Sequence, residues 1–199
     1  ARQLKNFIGK DVFLCAMVKA DAYGHGIKDV CKALCNDVNF FGVASAQEAK
    51  TIRKFNKKTP VLIVSILDMH YLNWCAENNV SITVTCETEV NYIINKLKTP
   101  GLKVHIKVNS GLNRIGFNDI NSFLKSIKKL QDCNKIQIEG IFTHFATKQN
   151  DVSFINQQYL KFNEFLKLTD TKNVIVHCCN SFATIYNSTL HNNMVRCGF

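Results

Sequence analysis

Residues 12–44 read VFLCAMVKADAYGHGIKDVCKALCNDVNFFGVA. Val12 to Val18 is apolar throughout and too short for an ordinary helix, so it reads as a strand buried on both faces. Ile27 to Asn36 follows with apolar Ile27, Val30, Cys31 and Leu34 at helical spacing. Phe40 to Ala44 is a second short apolar run. A strand, a helix and a strand in that order imply parallel pairing through a right-handed crossover.

Read outward from this unit, the alternation repeats to the end of the chain. Further strands are predicted at Val61 to Val64, Ser81 to Val84, Lys103 to Val108, Ile136 to Thr143, Val174 to Cys178 and Met194 to Arg196, making eight in all. Helices are predicted at Ala46 to Phe55, Glu87 to Lys98, Asn121 to Gln131 and Val152 to Leu168, among others. Ser45 with Glu48 has the spacing of a capping box, and Thr85 with Thr88 and Glu89 has a weaker form of it. Eight such units close into an α/β (β/α)8 TIM-type barrel, with an open doubly wound sheet as the alternative. With only Pro60 and Pro100 and no Gly/Ser-rich stretch, no internal linker is expected, and residues 1–199 read as one domain. Such barrels take about 250 residues and end on a helix. This sequence stops at Phe199, directly after the eighth strand, so the reading expects a truncated barrel lacking its last helix, with strands one and eight exposing apolar surface.

The composition narrows the function class. No run approaches the roughly 18 residues of a membrane span, and the first residues lack the apolar core of a signal peptide, so a cytoplasmic protein without membrane contact is expected. The net charge of +10 raises nucleic acid as a partner, but the lysines are scattered through every predicted helix instead of forming one stripe. An Asn-, Ile-, Lys- and Phe-rich composition of the kind an AT-biased genome encodes is the better explanation, and no nucleic-acid partner is expected. The nine cysteines include no C-x-x-C pair and sit mostly in apolar runs, as reduced packing residues do. His177, Cys178 and Cys179 are adjacent and so point to opposite faces of a strand, which argues against a metal site.

In a barrel the active site lies at the carboxyl ends of the strands. There the sequence sets Lys19, then Lys107 and Asn109 with Arg114 beyond them, then Thr143 and His144, Asn180 and Ser181, and finally Arg196 and Gly198. A desolvated lysine at such a mouth is a usable amine nucleophile for a Schiff base. Gly198, Ser181 and Tyr23 offer a backbone N–H and two hydroxyls that could cradle a phosphate. An amine beside a phosphate cradle suggests pyridoxal phosphate.

The run Val18-Lys19-Ala20-Asp21-Ala22-Tyr23-Gly24-His25-Gly26 resembles the cofactor-binding signature of bacterial alanine racemases at all nine positions. Residues 107–117, Gly140 to Ala146, Asn180-Ser181 and Val195 to Gly198 agree in the same order, so the resemblance covers essentially the whole chain. It implies that Lys19 carries pyridoxal 5'-phosphate and moves the substrate's α-proton. Tyr23, Ser181 and the backbone at Gly198 and Phe199 would hold the phosphate, with Asn180 nearby. Arg196 would face the ring nitrogen, supported by His144, and Arg114 would contact the cofactor's phenolic oxygen and the substrate carboxylate. Lys107 matches a lysine that is often carbamylated in the family.

The activity so implied is interconversion of L-alanine and D-alanine for cell-wall peptidoglycan, by a homodimer of the full-length protein. A serine-preferring racemase and a non-catalytic pyridoxal-phosphate carrier of the same barrel fold are the alternatives. Three departures stand out: Asn109 where many relatives have Asp, Cys197 where Pro is usual, and Thr147 to Asn150 in place of a more acidic stretch. The family's usual first strand and its β-rich C-terminal domain, with the tyrosine that serves as the second base, find no match in residues 1–199.

Overall fold

A computed structural model describes residues 1–147 and 151–198. Eight strands run β1 (Phe13–Met17), β2 (Phe40–Val43), β3 (Val61–Ile63), β4 (Val80–Val84), β5 (Leu102–Lys107), β6 (Ile136–Phe142), β7 (Ile175–His177) and β8 (Met194–Cys197). Every predicted strand falls within one residue of these bounds at each end. The sheet order is β7-β6-β5-β4-β3-β2-β1-β8, and every ladder is parallel. Between β7 and β8 single bonds replace a ladder. Asn193 N donates to Val176 O at 3.0 Å, Arg196 N to Cys179 O at 3.0 Å, and Asn193 Oδ1 accepts from Val176 N at 2.9 Å. The sheet is thus a nearly closed barrel, which excludes the open doubly wound alternative.

The helices, in chain order, are α1 (Arg2–Ile8), α2 (Ile27–Leu34), α3 (Ala46–Arg53), α4 (Leu72–Glu77), α5 (Glu87–Lys96), α6 (Ile120–Gln131), α7 (Val152–Leu166) and α8 (Ser181–Tyr186). Each buries its apolar stripe on the outside of the sheet. α6 does so with Phe123, Ile127 and Leu130, worth about 1.5–3 kcal/mol for each fully buried side chain. α1 corrects one expectation. Strands β1 and β8 are not left uncovered: β8 is buried along its length and β1 from Leu14 to Ala16. Ile8 and Leu4 of α1 pack in the same cluster as Leu14 and Val195, and Phe7 meets the His191 ring edge-on at 5.9 Å. Lys5 Nζ ties α1 down through Val12 O (2.8 Å) and Asn39 Oδ1 (2.9 Å). No helix among the described residues is long and apolar enough to cross a membrane.

Strand alternation divides the barrel interior into two halves. Cys15, Phe40, Leu62 and Met194 form an apolar cluster inside β1, β2, β3 and β8. Across from it β4 to β7 turn inward polar residues, with Ser81, His105, Lys107 and His177 all buried. The polar half leads up to the strands' carboxyl ends.

Candidate active site

Lys19 follows β1 and opens a turn found almost nowhere in L-amino-acid chains. Ala20 (φ 51°), Asp21 (φ 53°), Ala22 (φ 53°) and Tyr23 (φ 56°) are all left-handed, at a cost of about 1–2 kcal/mol per residue. Hydrogen bonds from outside the turn hold it. Ala20 N donates to Glu48 Oε1 and Ala44 N to Glu48 Oε2, each at 2.7 Å, and Ile27 N donates to Asp21 Oδ1 at 2.7 Å. The turn folds the chain back so that Tyr23 faces the same space as half-buried Lys19. Glu48 therefore completes only half of the predicted capping box. Ser45 Oγ accepts from Glu48 N at 3.2 Å, but the carboxylate bonds Ala44 and Ala20 instead of reaching back to Ser45. At the weaker site Glu89 Oε2 accepts from both Thr85 N (2.6 Å) and Thr85 Oγ1 (3.0 Å).

Lys19, Tyr23, Lys107, Arg114, His144, Asn180, Ser181, Arg196 and Gly198 all line one cavity of ≈ 320 Å³ at the carboxyl ends of the strands. Phe199, also expected at the phosphate, lies outside the described residues. Met17, Val64, Phe142 and Phe182 complete the lining and were not singled out in the sequence, together with Thr147, which was named only as a departure from the family pattern.

One wall is a close approach that only glycine permits. A Cβ on Gly198 would lie 2.7 Å from Met17 Cβ and 2.8 Å from the Tyr23 hydroxyl. Gly198 N donates to Ser181 Oγ at 3.0 Å, and Ser181 Oγ donates to Gly198 O at 2.6 Å. Two hydroxyls and a backbone N–H thus converge within a few ångströms, and an anion settling here would have to draw the Ser181 O–H and Gly198 N–H away from the bonds they make with each other. Asn180 spends its side chain on the backbone: Oδ1 caps α8 through Ala183 N at 3.0 Å, while Nδ2 reaches Phe145 O at 3.4 Å.

The rest of the cavity is cationic, and no Asp or Glu is among the described residues that line it. Burial, and then the charges of Arg114 and Arg196, bring the Lys107 amine down to about 7. Burial, Arg196, Lys107, Arg114 and Lys19 hold His144 down to about 3, so it is neutral and its Nδ1 accepts from Arg196 Nη2 at 3.3 Å. The guanidinium is gripped more tightly elsewhere. Nη1 donates to His177 Nδ1 at 2.6 Å and Nη2 to Thr143 O at 2.8 Å, with its carbon 5.1 Å from the centre of the Phe142 ring.

His177 is the important residue the sequence reading missed, having weighed it only as a metal ligand beside two cysteines. Instead Cys178 and Cys179 Sγ both bond Leu190 O at 3.1 Å, while the His177 ring points into the barrel. The available signal was the alternation itself, because His177 shares its strand face with Ile175 and not with Cys178.

Residues 1–199 match the family model described as Alanine racemase, N-terminal domain. An alanine racemase of Pediococcus pentosaceus is 33% identical over 187 residues, covering 93% of this chain and 50% of that protein. The solved alanine racemase of Clostridium difficile superposes with a TM-score of 0.90 at 30% identity, covering 98% of this chain and 53% of that one. The chain therefore spans about half the length of the relatives it matches. A histidine racemase of Leuconostoc mesenteroides has a TM-score of 0.91 at 23% identity, a likeness of fold alone.

Proposed function

The chain belongs to the alanine racemase N-terminal domain family, and from that premise we propose that it is the cofactor-holding barrel of a pyridoxal-phosphate-dependent racemase interconverting L-alanine and D-alanine. One observation carries this: Lys19, Lys107, Arg114 and Arg196 converge on a single cavity beside the Tyr23, Ser181 and Gly198 cradle. A small molecule bearing a phosphate and a carboxylate fits that charge and that donor set.

In this reading Tyr23, Ser181 and Gly198 N would hold the phosphate, and Asn180 keeps Ser181 in place. Arg196 faces the ring nitrogen. Its guanidinium keeps its own protons, so it would hydrogen-bond the ring nitrogen without protonating it as a carboxylic acid at that place would. That favours returning a proton to the α-carbon over side reactions. When bound, pyridoxal phosphate supplies the electron sink for α-proton removal. Lys19 carries it and moves the proton on one face, and Arg114 orients the substrate carboxylate. Lys107, with its amine brought to about 7, is suited to carbamylation, which would turn a repulsion with Arg114 into an attraction. The opposite-face base is proposed to be a tyrosine of a β-rich domain, delivered across a homodimer. The relatives of 30% identity or more reported above are alanine racemases, which favours this reading over a non-catalytic carrier.

The test is borohydride reduction of the cofactor-loaded, full-length protein followed by peptide mapping. The tag is expected on Lys19, and a tag on Lys107 instead would overturn the assignment. Racemisation of alanine, serine and histidine compared side by side settles the substrate.

A further inference from the structure

Beneath the cavity, the polar half of the barrel continues as a chain of hydrogen bonds running toward the opposite face. Glu139 on β6 starts it, with Oε2 accepting from His105 Nε2 at 3.0 Å and from Ser81 Oγ, and Oε1 paired with Lys103 Nζ at 3.2 Å. His105 Nδ1 lies 2.8 Å from His177 Nε2, and His177 Nδ1 lies 2.6 Å from Arg196 Nη1. Both histidines are fully buried and Arg196 nearly so. The chain is built for, and not merely tolerated: Gly140 leaves out the Cβ that would overlap the His105 ring, and His177 stacks on Phe142 at 4.7 Å.

The two ends fix every proton between them. A carboxylate only accepts and a guanidinium only donates. Arg196 donates to His177 Nδ1, so His177 is protonated on Nε2 and donates to His105 Nδ1. His105 is then protonated on Nε2 and donates to Glu139. Both rings are neutral and in one tautomer, since a second proton on either would set two N–H groups against each other. Burial, with the Arg196 charge, lowers both histidines. His105 hydrogen bonding holds the Glu139 carboxyl down to about 2 against the opposing pull of burial. The other cations nearby are Lys103, on the far oxygen of Glu139, and Lys107, above on β5.

We propose that Glu139 is the counter-ion of Arg196, acting through two neutral histidines, and hence a positioning residue for the guanidinium at the mouth. The chain then holds one positive charge at its upper end, and Arg196 supplies it. It anchors charge and delivers no proton to the cavity, because the only nitrogen it offers upward is an acceptor already in use. The link to the cofactor rests on the proposed function, whereas the charge balance is read without it.

The experiment is 15N NMR of histidine-labelled full-length protein, titrated from pH 5 to 8.5. In the parent protein His105 and His177 are expected as neutral Nε2–H rings throughout, and an Nδ1–H tautomer at either would overturn the proposal without any mutation. In Arg196→Met the carboxylate keeps Lys103 on its far oxygen but loses the guanidinium at the other end of the chain, so the histidine pair is expected to take up one proton near neutral pH. In Arg196→Met combined with Glu139→Gln that uptake should move at least one pH unit lower. Equal titration of the two variants, or a pair that stays neutral in both, also overturns it. Absorbance of bound pyridoxal phosphate in the parent sample tests the proposed function separately.

Discussion

Gly198 and Tyr23 are in mutual contact: a side chain of even one carbon on Gly198 would come 2.8 Å from the Tyr23 hydroxyl and 2.7 Å from Met17 Cβ. Met17 Cβ is anchored to its strand and cannot yield cheaply. Gly198→Ala is expected to weaken pyridoxal-phosphate binding about tenfold or more, some 1.4 kcal/mol, with the far-UV circular dichroism of the fold retained. Tyr23→Phe, which removes one hydroxyl and adds no bulk, should weaken it less. Equilibrium titration of cofactor absorbance ranks the two, and the reverse order would contradict the cradle.

Glu48 is the outside support of the left-handed turn. Glu48→Ala leaves Ala20 N and Ala44 N without their acceptor, at about 1–3 kcal/mol for each group that water does not reach. Glu48→Gln keeps one carbonyl oxygen and should fall between. Urea denaturation read by fluorescence measures both, and a Glu48→Ala protein as stable as the parent would show that the turn holds itself.

Lys107 gives the protein a distinct alkaline slope. Its folded value, about 7, lies below its ordinary value of 10.5, so between those pH values the unfolded chain binds a proton that the folded chain does not. Stability therefore rises from pH 7 to 10.5, by at most about 1.4 kcal/mol per pH unit. Lys107→Met should remove that rise in CO2-free buffer. Added bicarbonate should remove it in the parent as well, with the mass of one CO2 gained in native mass spectrometry.

His144, His105 and His177 act at the acid end. All three are lowered in the folded state, His144 to about 3 from 6.5. Below pH 6.5 the unfolded chain takes up protons that the folded one refuses, so stability falls as pH falls, by about 1.4 kcal/mol per unit for each ring. The loss should begin near pH 6.5, above the carboxylate range, and His144→Gln should shallow it. Denaturation midpoints that stay level from pH 7 to 5 would rule this out.

Ser126 Oγ on α6 is buried without a hydrogen-bond partner among the described residues. Ser126→Ala is expected to stabilise the protein by about 1 kcal/mol, seen as a higher thermal midpoint.

The barrel was legible because its strands announce themselves twice, as short apolar runs and as stretches separated by helices of the right length. The mouth was legible because polar residues such as Lys19, His144 and Arg196 stand directly after those runs. Glu139, His105 and His177 were not, since a polar residue inside a strand looks the same whether it faces water or the barrel axis, and only ring closure decides. Leu4, Phe7 and Ile8 of α1 stand at helical spacing, but one turn beside charged residues carries too little periodicity to predict a helix. The left-handed turn has no local signature either, because Ala20 and Ala22 lack the glycine or asparagine that such backbone favours. One of its supports is Glu48, 28 residues away from Ala20.

The seam between β7 and β8 behaves as the clasp of a bracelet. Arg196 is one of its links, fastened by its main chain to Cys179, two residues past the end of β7. A guest that touches this guanidinium and binds only the closed ring would add its binding free energy to the seam, so occupancy and ring closure would be linked. Amide protons along this edge should be the first to exchange with solvent in the empty protein and the most slowed once it is filled.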